Sequence, residues 1–542
     1  MRRNQIILFV LFLSLINYVG YLESFAGAAS SSEHQISSDH LTTEVKARFE
    51  NVFPPPLEGD SSSTIVRNGQ RLPVRPEQLS ESPFTFTIPE VSQTTFPNGM
   101  KVFSLITTAS LGVHVTVLVE AGTVYDPPDK VGLAELTAQA LRTGGAGKYT
   151  ADDFDRELDK LGAEFAVDVQ RDYARFDLFC LSQNWEQALR LLSQAFIAPH
   201  FEDAAVEREK ILFRERIVRQ EDEPAELSRR EFRKVIYGTT HPLARSPRPD
   251  DILQWKKRDV IAFYETHYLP SVTRIGLAGP PTIGSPVPVL KTSFAEWHQN
   301  APGFRRSVPF PTADGKPAYK GVFLLEKDMG QAFFRLGHLG KKRDFRDQPV
   351  VDVLNNILGM GGLTSRLMQK IRTEHGLAYG VGGGVFEDDP VGIFAVVGST
   401  KSASLAQAIS LAVEVTSETR LLSPEKEELE TAKKDAIYAF ANRFSSPKDV
   451  VVQYMIADLY GYPKEYLRRY CDVVRSVRGE DVLHAAQRYL RPEELTIFVL
   501  GPASVKDQLQ TAFGQSVLPW NAASQKAAVG EKASSSGTRK RR

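Results

Sequence analysis

The residues that could bind a metal ion in this chain are few and widely spaced. Two histidines at positions i and i+4 of a helix face the same way and can hold one Zn²⁺ ion. The 542-residue sequence contains ten histidines, and no two of them share such a helical face. They are His34, His40, His114, His200, His241, His267, His298, His338, His375 and His484. The sequence therefore predicts no histidine zinc site.

Two other patterns resemble functional motifs but lack an essential residue. Glu374 and His375 would need a histidine at position 371 to form an inverted zinc motif, and that residue is Ile371. We expect His375 to contact the last carbonyls of a helix instead. The glycine-rich run 380–384 follows a predicted helix, and Val385 stands where Gly-x-Gly-x-x-Gly requires glycine. No nucleotide site is expected there.

Composition and charge exclude other classes of protein. The chain has 66 basic and 66 acidic residues, so its formal net charge is zero, whereas a nucleic-acid-binding domain is usually strongly basic. Hydrophobic residues make up 42% and charged residues 24%, which is typical of a soluble globular protein. Cys180 and Cys471 are too few for a thiolate zinc cluster, and we expect two unpaired structural thiols.

The two ends of the chain are predicted to lie outside the folded core. Arg2 and Arg3 precede the apolar run Ile6–Ile16, and small residues follow at 26–29, which is typical of a signal peptide over residues 1–29. This predicts export, with the periplasm as the compartment, although an uncleaved membrane anchor stays open. Residues 30–82 are predicted to be a disordered lead-in, and residues 521–542 a disordered basic tail.

A weak internal repeat divides residues 83–520 into two similar halves. Three pairs of glycines at the ends of predicted strands and helices mark it: Gly122 and Gly340, Gly145 and Gly362, and Gly162 and Gly376. Their nearly constant offsets predict two copies of one α+β domain, residues 83–280 and 312–520, with a linker over residues 281–311. Each copy should be an antiparallel-rich sheet covered on one side by helices.

Specific motifs surround these glycines: the first copy carries Gly132-Leu133-Ala134 after the segment Gly122–Asp126, and the second copy carries Leu358–Leu367 and Ile371–Tyr379. These motifs resemble those of the insulinase-like peptidases, family M16. The resemblance covers residues 83–520. It implies two M16-type domains that form a half-shell, and two half-shells that enclose a chamber.

Active members of that family carry His-x-x-Glu-His directly after Gly-Leu-Ala, and this chain departs from the pattern. Glu135 and Gln139 stand at the two histidine positions, and Ala138 stands at the general-base position. Glutamine is a poor zinc ligand because its amide oxygen is neutral. Glu215 lies near the family's third ligand position, and we expect it to be a solvated helix charge. The chain alone is therefore predicted to have no catalytic residue, no metal and no cofactor.

The resemblance also implies a substrate-binding pair in the second domain. Active single-chain members use an Arg and a Tyr seven residues apart, which correspond to Arg372 and Tyr379. In the closed enzyme they would bind the substrate backbone and stabilise negative charge on the scissile carbonyl. A peptide would add to a sheet edge beside Gly382, Gly383 and Gly384. The alternative is a surface charge at 372 and a core tyrosine at 379.

These features together predict a non-catalytic, peptide-binding subunit of an exported M16 zinc-peptidase complex. A second M16 chain with the zinc motif would supply the metal, and this chain would pair with it, in a dimer, through Arg372 and Tyr379. Two alternatives stay open: an assembly subunit resembling the core proteins of respiratory complexes, and an autonomous metalloendopeptidase. We expect no nucleic-acid partner, and no membrane contact after removal of the signal peptide.

Overall fold

The computed structural model describes residues 65–67, 70–72, 86–298 and 317–521. Strands β1 (Ile65–Arg67) and β2 (Gln70–Leu72) pair antiparallel within a unit that spans Met1–Thr87. Two short paired strands therefore lie within the predicted disordered lead-in. The predicted signal peptide, residues 299–311 of the predicted linker and residues 522–542 of the predicted tail lie outside the described residues.

The first half of the unit Ile88–Arg542 forms a mixed six-stranded sheet. Its strands are β3 (Ser92–Thr95), β4 (Lys101–Ile106), β5 (Val113–Val119), β6 (Glu164–Val169), β7 (Ala174–Cys180) and β8 (Thr273–Gly279). Their order is β3-β4-β8-β5-β7-β6, and only the β4–β8 pair is parallel. Every second residue of β7 is buried, from Ala174 to Cys180, as expected of a strand with one face on the core.

Eight helices accompany this sheet in the sequence of the first half that the structure describes. They are α1 (Leu133–Thr143), α2 (Ala151–Lys160), α3 (Trp185–Ile197), α4 (Asp203–Asp222), α5 (Pro224–Tyr237), α6 (Pro249–Gln254), α7 (Lys257–His267) and α8 (Val287–Ser293). The apolar positions of α1 recur at helical spacing and are buried, among them Leu133, Leu136, Ala140 and Leu141. Burial of this face fixes α1 against the sheet.

The second half repeats this architecture. Its strands are β9 (Val322–Glu326), β10 (Gln331–Leu339), β11 (Ala378–Phe386), β12 (Ile393–Lys401), β13 (Thr496–Gly501) and β14 (Val517–Pro519). Its helices are α9 (Gln348–Asn355), α10 (Arg366–Met368), α11 (Leu405–Leu421), α12 (Lys426–Asn442), α13 (Pro447–Leu459), α14 (Tyr466–Ser476), α15 (Gly479–Tyr489) and α16 (Lys506–Phe513). Two π-helical segments, Asn356–Met360 and Gln369–Glu374, continue α9 and α10.

The sheet topology confirms the predicted repeat. The second sheet has the order β11-β12-β10-β13-β9-β14, and its first five strands match β6-β7-β5-β8-β4 in order and in relative direction. Gly162 and Gly376 have φ values of +57° and +63°, so both end their helices in the left-handed conformation that glycine favours. The predicted two-domain α+β fold with antiparallel-rich sheets is therefore confirmed.

The first domain extends past residue 280, where the sequence predicts the linker to begin. Helix α8 lies inside that predicted linker, and Leu290, Phe294 and Trp297 are buried in the first hydrophobic core. The rings of Phe294 and Trp297 lie 6.4 and 5.4 Å from that of Phe196. The prediction is corrected because Leu290 in α8 and the two aromatic residues that follow the helix are buried together, a pattern that the surrounding proline and glycine residues obscured.

Each sheet also packs against a helix from the other half. Val451 and Met455 of α13 lie so close to Gly276 of β8 that a Cβ there would be only 2.4–2.5 Å from their side chains. In the same way, Phe232 and Ile236 of α5 share a core cluster with strand residues of the second sheet. All residues of β8 and β13 are buried as a result. The sequence predicted helices on only one side of each sheet. The helix that covers the other side belongs to the other copy of the domain, so its packing there could not be predicted.

A charged cluster ties α13 to the first sheet. Asp458 accepts hydrogen bonds from Lys101 Nζ at 2.9 Å and from Arg274 Nε at 2.6 Å. Burial by itself acts to raise the pKa of Asp458, but the two cations hold that pKa below its ordinary value. A carboxyl group of this kind stabilises the fold above its unfolded-state pKa of about 4, and the contribution is lost as pH falls through the folded-state pKa.

We therefore expect Asp458→Asn to lower the free energy of unfolding by about 2 kcal/mol at pH 7. The difference from wild type should shrink below about pH 4, because protonation then removes the same charge in the wild-type chain. Urea denaturation of the variant and the wild type at pH 7 and at pH 3 measures the difference in their free energies of unfolding at each pH. Asp472→Asn, which alters an exposed pair with Arg475, is the matched control and should change little. A pH-independent effect of Asp458→Asn would contradict this assignment.

Candidate functional site

The degenerate motif forms a polar cluster on one face of α1. Glu135 and Gln139 are one helical turn apart, and Gln139 Nε2 donates a hydrogen bond to Glu135 Oε1 at 3.3 Å. Arg216 of α4 donates from Nη2 to the same oxygen at 3.0 Å. The Glu135 side chain is only 17% exposed, whereas that of Arg216 is 42% exposed, so the carboxylate is the more shielded partner of this ion pair. The guanidinium group thus neutralises the carboxylate from within the chain.

Zinc does not fit this set of donors. Gln139 offers a neutral amide, Glu135 is already paired with a cation, and Ala138 is fully buried and has no group that could accept a proton from water. Glu215 is exposed on α4, as expected of a solvated helix charge. Within the described ranges, no three His, Cys, Asp or Glu residues form a group that could hold a metal ion. Arg216, which sequence reasoning missed, directly follows Glu215.

The residues before α1 have a structural role. The carboxylate of Asp126 accepts hydrogen bonds from the backbone N–H groups of Gly132 and Ala134 at 2.6 and 2.7 Å, which satisfies donors at the start of α1. Burial raises the pKa of Asp126 to about 7, although these two bonds and the charge of Arg245 act in the opposite direction. The motif Gly122–Asp126 therefore supports the helix that carries positions 135–139.

Arg372 and Tyr379 are brought together at the end of the second π-helical segment. The Arg372 guanidinium carbon lies 4.9 Å from the centre of the Tyr379 ring, which is a cation–π distance. Tyr379 is 81% exposed, so the alternative of a core tyrosine is wrong. No carboxylate of the described residues lies within ion-pair distance of Arg372. His375 Nδ1 contacts the Lys370 carbonyl at 2.8 Å, which confirms its predicted role at the helix end.

The glycines of β11 that follow Tyr379 are packed against other parts of the second domain. β11 is an edge strand, but Asn355 of α9 covers part of that edge, because its side chain bonds to both the N–H and the C=O of Val385 at 2.7 and 3.0 Å. Gly383 and Gly384 are buried, and a Cβ on Gly384 would lie 2.6 Å from the Asn355 side chain.

The prediction that Gly383 and Gly384 line an open edge is therefore corrected. The chain's own helix approaches β11 too closely there for a second strand to pair. Gly382 is half-buried, and the carbonyl oxygen of Gly359 would lie 2.9 Å from a Cβ at that position. Gly380 is exposed, with no atom within 4 Å of such a Cβ. The part of the edge that remains accessible to a peptide lies at Tyr379 and Gly380, beside Arg372.

The arrangement can bind and polarise a peptide. The guanidinium of Arg372 and the hydroxyl of Tyr379 both donate hydrogen bonds, and the guanidinium adds positive charge. Neither group can accept a proton from water at neutral pH. Cys180 and Cys471 are free and buried, as predicted, and burial raises the pKa of both thiols. They are therefore poor nucleophiles.

No helix in the parts of the chain that the structure describes is long and apolar enough to cross a bilayer. The predicted anchor or signal segment at residues 1–29 lies outside those parts.

Comparisons with known proteins agree with the resemblance in the motifs. The chain is 25% identical over 299 residues to an uncharacterized zinc protease of Mycobacterium leprae, an alignment that covers 54% of this chain and 65% of that protein. It is also 21% identical over 421 residues to an uncharacterized zinc protease of Rickettsia felis, and this alignment covers 76% of the present chain and 97% of that protein.

Two solved structures share the fold. The peptidase M16 inactive domain from Pseudomonas fluorescens has a TM-score of 0.68 and 25% identity, and the match covers 77% of this chain and 99% of that one. The periplasmic protease PqqL from Escherichia coli has a TM-score of 0.64 and 15% identity, covering 82% of this chain and 49% of that one.

Two family models match adjacent parts of the chain. The model of insulinase (peptidase family M16) matches residues 103–246, which carry α1 and the degenerate motif, and the model of the peptidase M16 inactive domain matches residues 254–435, which carry Arg372 and Tyr379. Together with the repeated fold and the motifs that it positions, these matches show that the chain belongs to peptidase family M16.

Proposed function

We propose that this chain is a non-catalytic, peptide-binding subunit of an M16 zinc-peptidase complex. A partner chain with an intact zinc motif would supply the metal and the general base. This chain would supply Arg372 and Tyr379 to the closed chamber. The observation that carries the proposal is the contact between half-buried Arg372 and exposed Tyr379, in a chain whose motif helix holds the Glu135–Arg216 ion pair in place of metal ligands.

We further propose that the chain is exported to the periplasm after removal of residues 1–29, and that it works there as a dimer with its partner. The basic start, the apolar run and the small residues at 26–29 support export. The related structures named an inactive domain and a periplasmic protease are consistent with both parts of the proposal. Those names describe the Pseudomonas and Escherichia proteins.

The experiment is reconstitution. The full chain is purified together with the proteins that bind it, and an M16 chain with the His-x-x-Glu-His motif is expected among them. Cleavage of an unstructured peptide is then measured for each chain alone and for the mixture. We expect chelator-sensitive cleavage in the mixture and none by this chain alone. A chain that enters a larger complex without binding peptides would instead be an assembly subunit, which would contradict the proposal.

The zinc content of the isolated chain tests the same proposal independently. We expect less than about 0.1 Zn²⁺ per chain by elemental analysis, because no group of charge-bearing ligands is available at positions 135–139. Glu135→Ala should leave that low value unchanged. Stoichiometric zinc that is lost in Glu135→Ala or Gln139→Ala, together with cleavage by the isolated chain, would show an autonomous metallopeptidase and overturn the proposal.

A further inference from the structure

The strand that carries Tyr379 contains a β-bulge. β11 pairs with β12 at Ala378 and again from Val381 onwards, but three steps along β11 correspond to two along β12. Tyr379 and Gly380 together therefore stand opposite the single residue Ser399. On its other side, β12 pairs with β10 without any shift in register. The irregularity is thus confined to β11, and a bulge of this kind changes the direction in which a side chain points.

The first copy of the domain shows what a regular strand does at this place. Phe165 and Tyr379 each lie three residues after a helix-ending glycine, Gly162 and Gly376 respectively. β6 pairs with β7 without a shift, and Phe165 is 7% exposed and belongs to the first hydrophobic core. Tyr379 is 81% exposed instead, and the buried residue is Val381, two positions later. The bulge therefore turns the tyrosine out of the core.

The hydroxyl group of Thr400 holds the start of this bulge. Thr400 is buried, and its Oγ1 donates a hydrogen bond to the Leu377 carbonyl oxygen at 2.5 Å. The Leu377 N–H donates in turn to the Ile371 carbonyl oxygen at 2.9 Å. Leu377 lies in the short connection between the π-helical segment of Arg372 and the strand of Tyr379. Both of its backbone groups are thus fixed, one by that segment and the other by β12.

The far end of the bulge has weaker support. The Val381 N–H donates to Met368 Sδ at 3.4 Å, and a thioether sulfur is a weak acceptor. Gly380 has no atom within 4 Å of a Cβ built on it, so the space beside this residue is open. The hydrogen bond of Thr400 is therefore the shorter and stronger of the two side-chain contacts that hold the ends of the bulge.

We propose that Thr400 is a positioning residue for the Arg372–Tyr379 pair. Its hydroxyl fixes the bulge, and the bulge keeps the Tyr379 hydroxyl and the Arg372 guanidinium at a spacing at which both can donate to one peptide group. Because Thr400 is buried, it acts through the pair and does not touch the peptide. This inference rests on the proposed function, in which the pair binds and polarises a peptide, and it adds the residue that sets the geometry of the pair.

The test is the steady-state kinetics of Thr400→Val in the reconstituted complex. Valine keeps the shape of the buried side chain but leaves the Leu377 carbonyl without this donor. We expect kcat to fall by about tenfold with a smaller change in KM, because displaced donors stabilise the transition state less well. Thr400→Ser keeps the hydroxyl and should retain kcat within about twofold of the wild-type value.

Thr416→Val is the matched control in the same half of the chain. Thr416 lies on α11 and is fully buried, and its hydroxyl donates to the Ala412 carbonyl oxygen at 2.7 Å. The substitution removes the same group from the same kind of bond, so it should lower stability in a similar way but leave kcat and KM unchanged. A general loss of stability affects both variants, whereas a loss of positioning affects Thr400→Val alone.

A double-mutant cycle shows whether Thr400 acts through Tyr379. In the Tyr379→Phe background the hydroxyl to be positioned is already absent, so Thr400→Val should lower kcat by less than it does in the wild-type background. Fully additive effects would mean that Thr400 acts independently of Tyr379, which would overturn the inference. If Thr400→Val does not fold, Thr400→Ala takes its place in each comparison.

The outcomes separate this inference from the proposed function. If Arg372→Ala and Tyr379→Phe lower kcat/KM but Thr400→Val does not, the pair acts without Thr400, and this inference alone is overturned. If Thr400→Val and Thr416→Val lower kcat equally, the role of Thr400 is only structural, and the inference is again overturned. If neither Arg372→Ala nor Tyr379→Phe changes cleavage, the proposed function fails and this inference fails with it.

Discussion

Replacing Arg372 by alanine in the reconstituted complex should lower kcat/KM for peptide cleavage by about 100-fold, and Tyr379→Phe should have an effect of similar size. Both side chains donate hydrogen bonds, and a donor aimed at the developing oxyanion stabilises the transition state more than the bound substrate. Tyr379→Phe keeps the ring against the Arg372 guanidinium, so it removes the hydroxyl alone. Steady-state kinetics with the zinc-bearing partner in excess measures the effect.

Matched controls are available in the same half of the chain. Arg475→Ala and Tyr438→Phe alter an arginine and a tyrosine that are also exposed, and both variants should retain full activity. A fall in kcat identifies transition-state stabilisation, whereas a rise in KM alone indicates that the pair only binds substrate. Unchanged cleavage in both Arg372→Ala and Tyr379→Phe would remove these residues from the proposed role and leave the assembly subunit as the better description.

Gly383→Ala should destabilise the chain by about 3 kcal/mol, because its new methyl group has no space. A Cβ at this position would lie 2.4 Å from the carbonyl oxygen of Ala395 and 2.7 Å from the Cα of Val396. Both are backbone atoms of the adjacent strand β12, so relief requires the strands to separate. Urea denaturation of the purified chain measures the loss in the free energy of unfolding.

Gly380→Ala is the control on the same strand. It has a negative φ and no atom within 4 Å of the added Cβ, so its stability should stay close to that of wild type. If a peptide adds to β11 at Tyr379 and Gly380, this variant should raise KM in the reconstituted complex without lowering stability. Equal stability of Gly383→Ala and wild type would contradict the close packing, and would reopen Gly383 as part of an accessible edge.

Much of the fold follows from local patterns. The period of two in β7 and the helical spacing of apolar residues in α1 are visible within a few residues of the chain. The left-handed glycines Gly162 and Gly376 mark helix ends by themselves, because other residues rarely adopt that conformation. The helix α8 was missed because a segment rich in proline and glycine resembles a linker until its buried residues are seen together.

The features of the candidate site also fall into two groups: those that the sequence identified and those that only the structure revealed. The loss of the zinc motif at Glu135, Ala138 and Gln139 is a property of five consecutive positions, and the sequence alone determined it. The spacing of Arg372 and Tyr379, together with the family resemblance, was enough to select the pair. Their exposure and cation–π contact depend on how a π-helical segment meets β11, which no local pattern encodes.

By itself, the sequence determined the repeat, the element types outside α8 and which catalytic groups are missing, because these depend on residue identity and short-range periodicity. Only the tertiary structure decided that Arg216 pairs with Glu135, that Asn355 covers the edge of β11, that α5 and α13 pack across the two halves, and that six arginines line one cavity. Asn355 and β11 are 30 residues apart, Arg216 and Glu135 are 81 positions apart, and the six arginines come from both halves of the chain. Their geometry arises from the packing of sheets and helices, which the charge or polarity of one residue does not reveal.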